Sequence, residues 1–84
     1  MNDKELIDQF ERCNLPFDQW THRAHVKVAY LYLSNHSFDE AVDKMRTGVK
    51  AYNSANDVPE GPMMGYNETT TVAFLYLISA TIKA

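Results

Sequence analysis

Apolar residues recur at helical spacing along four stretches of the chain, and polar or proline-containing segments separate these stretches. The first stretch carries Leu6, Ile7 and Phe10, which predicts a helix over about residues 3–13. Pro16 disfavours a helical conformation at the residue before it, so a connector is expected there. The same periodicity predicts further helices over about residues 22–35, 38–53 and 67–83.

Two of the predicted helices begin at residues whose side chains can cap a helix. Thr21 precedes the second helix and is a suitable N-cap. Ser37 and Glu40 form a capping box at the start of the third helix, because each side chain can bond the other residue's backbone N–H. The connector before the fourth helix runs from about Asn53 to Gly65 and contains two of the three prolines and two of the three glycines. Its length, unusual for a compact domain, favours a functional role.

The second and fourth helices are apolar on nearly every side. A helix of this kind needs to be covered on most of its surface, and four short helices cannot cover two of them. We therefore expect an all-α fold over residues 1–84, a single four-helix up-down bundle completed by homodimerisation. The alternative is a bundle that a different partner chain completes.

Polar residues gather where the second and fourth helices begin. In an up-down bundle these two helix ends share one side of the molecule. His22 and His25 are three residues apart and are expected to face inward, as is Glu68 on the fourth helix. The predicted ligand-binding residues at this end are Trp20, His22, His25, Tyr66, Glu68 and Thr71.

Three interpretations of this polar end stay open. His22, His25 and Glu68 are a permitted ligand set for a divalent metal, although their spacing matches no metal-site signature. The same residues suit a pocket for a small molecule, or a buried hydrogen-bond network that only holds two loops together. The function predicted first is a small-molecule binding module. The alternatives are a metal-dependent or acid–base enzyme, with Glu68 or His22 as the base, and a protein interaction module.

Composition excludes several other classes of protein. The 84 residues carry 8 Lys and Arg against 11 Asp and Glu, so a nucleic-acid partner is not expected. A single cysteine excludes an internal disulfide framework. The N-terminal residues do not resemble a signal peptide, and no apolar run approaches the roughly 20 residues that span a bilayer. A cytoplasmic protein without a membrane partner is therefore expected.

Two segments together resemble a family of small uncharacterised bacterial helical proteins. The segments are Trp20 to Leu33, which contains W-x-H-x-x-H, and Gly65 to Thr71, whose relatives read G-Y-H/N-E-T-x-T. The resemblance covers about residues 15–80, and the family includes products of mobile gene cassettes. It implies a fold and a site but no reaction. Relatives can carry His where this chain has Asn67, a weaker metal ligand, and they extend further at the C-terminus, which favours completion by another chain.

Overall fold

Four α-helices and one short 3₁₀ turn make up the part of the chain that the computed structural model describes, residues 2–58 and 66–83. No strand occurs in these two ranges, so the predicted all-α class is confirmed. Most of the predicted long connector, residues 59–65, lies outside the described residues. The helices are α1 (Asp3–Glu11), α2 (His22–Asn35), α3 (Phe38–Ala55) and α4 (Glu68–Lys83), and the 3₁₀ turn is Phe17–Gln19.

The helix boundaries follow local chemistry. Thr21 caps α2 by accepting a hydrogen bond from the Ala24 N–H, and Ser37 and Glu40 form the predicted capping box of α3. The first helix ends two residues earlier than predicted. Cys13 has a φ of 59°, and this left-handed conformation cannot continue a right-handed helix.

The core lies where α2 and α3 pack against each other and against the two outer helices. Both α1 and α4 pack on this central pair, whereas α1 and α4 contact each other weakly at most. An open groove therefore remains between α1 and α4 above α2. The up-down bundle stays a prediction, while the described helices form a compact body with a radius of gyration of 12.3 Å. The buried apolar side chains are Phe10, Leu15, Val28, Ala29, Tyr32, Ala41, Val42, Met45, Tyr52 and Leu75.

The connector between α1 and α2 is fixed to the core by a buried hydrogen bond. The hydroxyl of Tyr52 on α3 donates to the carbonyl of Leu15 at 2.7 Å, and both residues are buried. Phe17, in the same connector, is 57% exposed, so only part of its apolar surface is packed against the protein. This attachment matters because the connector ends at Trp20, directly before α2.

The two apolar helices are less covered than their sequences suggest. On α2 only Val28, Ala29 and Tyr32 are buried, and on the described part of α4 only Leu75 is. Tyr76 and Leu77 are 66% and 64% exposed. Within residues 2–58 and 66–83, no helix is both long enough and apolar enough to cross a membrane.

Candidate functional site

The first turns of α2 and α4 line one open cleft of about 360 Å³. The cleft has a polar side that these two turns provide and an apolar side from α3 and the second turn of α4. Four of the six predicted site residues therefore lie around a single cavity. The polar side consists of His22, His25, Tyr66, Asn67, Thr70 and Thr71, and the apolar side of Met45, Val49 and Phe74.

The ring of His25 is held in a defined orientation. Its Nδ1 lies 2.7 Å from the backbone carbonyl oxygen of Thr21, so Nδ1 carries the proton and donates to that carbonyl. In the neutral ring the other nitrogen, Nε2, then has a free lone pair. Burial lowers the pKa of His25 from its usual 6.5, against the opposing effect of the Thr21 hydrogen bond, and nearby His22 lowers it further. At neutral pH His25 is thus a neutral hydrogen-bond acceptor.

Trp20 supports His25 from behind the cleft. Its ring centroid lies 3.8 Å from that of His25 and 4.6 Å from that of Phe10, so the indole is sandwiched between the imidazole and the core. Trp20 was predicted to bind the ligand, but in the structure it positions His25 and does not line the cleft.

His22 lies at the first helical position of α2 and is exposed. Its ring centroid is 5.9 Å from that of Phe74 on the opposite wall of the cleft. Of the two imidazoles expected to face inward, His25 is partly buried, whereas His22 lines the cleft but stays exposed to solvent.

Glu68 faces α3 instead of the cleft. Its carboxylate accepts two hydrogen bonds from the guanidinium of Arg46, one of them at 2.8 Å, and a third from the Tyr66 hydroxyl at 2.6 Å. The bonds from Arg46 and Tyr66 lower the pKa of Glu68 to about 2. Desolvation, together with the bond to Glu68, raises the pKa of Tyr66. Glu68 is thus a fixed anion that joins α4 to α3, and it is a poor proton acceptor at neutral pH.

The predicted metal ligand set is not brought together. Within residues 2–58 and 66–83, no three His, Cys, Asp or Glu side chains are grouped closely enough to hold a metal ion. His22 and His25 line the cleft, but the carboxylate of Glu68 is engaged by Arg46 and Tyr66. The hydrogen-bond partners predicted for the histidines were Glu68, Thr71 or loop carbonyls, and His25 bonds a carbonyl of the connector, that of Thr21, and not Glu68.

Several residues of this region were not predicted from the sequence. Arg46 and Lys50 lie on the polar side of α3, where side chains are ordinarily exposed to solvent. In the structure Arg46 donates hydrogen bonds to Glu68, and the Lys50 ammonium lies 5.3 Å from the centre of the Tyr66 ring. On α4 the cleft takes Asn67, Thr70 and Phe74 beside the predicted Thr71. Their spacing of three and four residues was the available signal for a shared helix face.

Comparisons with protein-family models, curated protein sequences and solved structures find no match to this chain. The resemblance to small bacterial helical proteins therefore stays an expectation, and the functional argument rests on the cleft.

Proposed function

We propose that the chain is a binding module for a small neutral molecule, which the cleft between the first turns of α2 and α4 accommodates. The observation that carries this proposal is the composition of the cleft. Its described lining contains imidazole, amide and hydroxyl groups opposite Met45, Val49 and Phe74, and it contains no Lys, Arg, Asp or Glu. A few polar groups beside an apolar wall are the usual make-up of a small-molecule site.

The polar groups suggest which features the ligand has. His25 offers the Nε2 lone pair to a hydroxyl or N–H of the ligand, because its Nδ1 is already bonded to Thr21. The hydroxyls of Thr70 and Thr71 can donate as well as accept, and the Phe74 ring provides a flat apolar contact. The acid–base alternative would use His25, since the low pKa of Glu68 makes that carboxylate an inefficient base.

Phenol and anisole provide a matched test of this arrangement. Both have an aromatic ring that fits the apolar wall, but only phenol has a hydrogen to donate to His25. Titrated into ¹⁵N-labelled protein, phenol is expected to shift the amide signals of His25, Thr70 and Thr71 in a saturable way, with clearly weaker binding by anisole. His25→Ala should remove the difference between the two compounds, and Ser34→Ala, at an exposed position of α2, should preserve it. Equal binding of both compounds by the wild type would contradict the role of His25.

A homodimer is the second proposal, and the exposed apolar surface of α4 favours it. Tyr76 and Leu77 are about two-thirds exposed, at 66% and 64%, which is unusual for adjacent large apolar residues on one helix. Sedimentation velocity over a range of concentrations tests this proposal. A species of twice the 9.6 kDa chain mass is expected, and a monomer at every concentration up to about 1 mM would contradict it.

A further inference from the structure

The outward face of α4 carries no charged residue between Thr69 and Ile82. Residues 69–82 include no Lys, Arg, Asp or Glu, although Ala73, Tyr76, Leu77 and Ala80 on this stretch are exposed. These four positions recur at intervals of three and four residues, so they form one face of the helix. A solvent-facing helix surface ordinarily carries charged residues. This face therefore has the character of a contact surface.

Apolar recesses flank this face on both sides, and Leu77 borders each of them. On one side is the groove between α1, α2 and α4, of about 1020 Å³, to which Tyr30 and Ile82 add partly exposed apolar surface. On the other side is a shallower recess that Phe38, Val72 and Tyr76 help to line. Leu77 is thus a ridge between two apolar hollows, and the ridge and hollows are the elements that a helix needs for packing against another helix.

We infer that a second copy of the chain covers this surface, with the α4 helices of the two copies packed against each other and Leu77 at the centre. Identical surfaces meet in a two-fold dimer, so a charged patch there would face its own charge. The absence of charge from residues 69–82 removes that repulsion. Beside the groove, Lys27 is paired with Asp3 at 3.1 Å, and Arg23, which also lines the groove, adds one positive charge at this rim.

The exposed apolar area is sufficient for such a contact. Tyr30, Tyr76, Leu77 and Ile82 are 47%, 66%, 64% and 41% exposed. Large side chains of this kind offer about 100 Å² each when half exposed, hence about 400 Å² per copy and about 800 Å² in total. The neighbouring Ala73 and Ala80 and the groove walls bring the sum to about 1,000 Å², the lower range of specific interfaces. An interface of this size is at the low end for specific contacts, so association is expected to be weak and to depend on protein concentration.

The same surface adjoins the candidate binding cleft through one side chain. Phe74 lines both the groove and the cleft, and its ring centroid lies 5.9 Å from that of His22. A partner helix in the groove would contact one side of Phe74 while His22 contacts another. Association is therefore expected to change the environment of the His22 ring, which gives the dimer surface a local spectroscopic signature.

The inference rests on the proposed homodimer and names its surface, so Leu77→Glu is the test variant. Thr47→Glu, at an exposed position of α3 away from the described cavities, is the matched control. In sedimentation equilibrium, Leu77→Glu is expected to raise the dimer dissociation constant at least about tenfold, with wild-type helicity by circular dichroism, whereas Thr47→Glu leaves the constant within about threefold. The ring signals of His22 should move with concentration in the wild type and the control, and not in Leu77→Glu.

The possible failures are distinguishable. A wild type that stays monomeric overturns both the homodimer and this surface. A Leu77→Glu protein that dimerises as tightly as the wild type leaves the homodimer standing and overturns the α4 surface. A monomeric wild type that co-sediments with phosphatidylcholine–phosphatidylglycerol vesicles, when Leu77→Glu does not, overturns the second copy and assigns the face to a lipid surface.

Discussion

Removing one buried hydroxyl tests how the connector before the candidate site is held in place. Tyr52→Phe deletes the hydroxyl that donates to the Leu15 carbonyl at 2.7 Å, and the Phe ring still fills the space. Tyr52 is 0% and Leu15 2% exposed, so water cannot readily replace the lost partner. An unpaired buried acceptor costs about 1–3 kcal/mol. A loss of about 2 kcal/mol from the free energy of unfolding corresponds to a fall in Tm of about 8–16 °C for a domain of this size.

The measurement uses Trp20, the single tryptophan of the chain, as a fluorescent probe of urea unfolding, with circular dichroism followed in parallel. Tyr76→Phe, measured at protein concentrations at which the wild type is monomeric, is the matched control, because it removes the same atom from a side chain that is 66% exposed in the single chain. The control is expected to stay within about 0.5 kcal/mol of the wild type. Equal stabilities of the two variants would refute the claim that the Tyr52 hydrogen bond secures the connector.

Three further predictions concern the core, the cleft and the contact between α3 and α4. Gly48→Ala should destabilise the protein by about 1–2 kcal/mol despite the better helix propensity of alanine, because the added Cβ would lie 2.6 Å from the buried ring of Phe10. The control Thr47→Ala should leave the denaturation midpoint nearly unchanged. A Gly48→Ala protein more stable than the wild type would show that the Phe10 ring can move. An NMR titration of the His25 ring should give a pKa below 6.5, since partial burial disfavours the imidazolium, and a value of 6.5 or above would contradict the partly buried, neutral ring. The folded-state pKa of Glu68, about 2, lies below the ordinary 4.5, so the stabilising effect of its carboxylate is complete above pH 4.5 and is lost as the pH falls toward 2. Between pH 7 and pH 3 the wild type should therefore lose more unfolding free energy than Glu68→Gln. Equal losses in the two proteins would exclude a stabilising contact between Glu68 and Arg46.

The parts of the fold that depend on residues close together in the sequence were predictable. The bounds predicted for α2, 22–35, are those observed, and its start is fixed because the Thr21 side chain accepts a hydrogen bond from the Ala24 N–H and caps the first turn. The capping box of Ser37 and Glu40 is also present as predicted. Both features need only a few consecutive residues and no information about how the helices pack.

The position of Glu68 could not be predicted, because it depends on how α4 is rotated against α3. One residue along a helix corresponds to a turn of about 100°. The sequence interpretation aligned Glu68 with the cleft, whereas the structure gives that face to Asn67, Thr70, Thr71 and Phe74. Periodicity identifies the members of a face but not the element opposite it. The guanidinium of Arg46, which determines where Glu68 points, lies 22 residues earlier in the chain.

The central claim is that the cleft beside His25 is a binding site, and a crystallographic fragment screen tests it most directly. Crystals soaked singly with several hundred small neutral fragments would show where these compounds collect. The account predicts a cluster of fragments between His25, Thr71 and Phe74, with a ligand hydroxyl or N–H within hydrogen-bond distance of Nε2 of His25. Fragments found only in the groove between α1, α2 and α4, with the cleft empty in every structure, would contradict it.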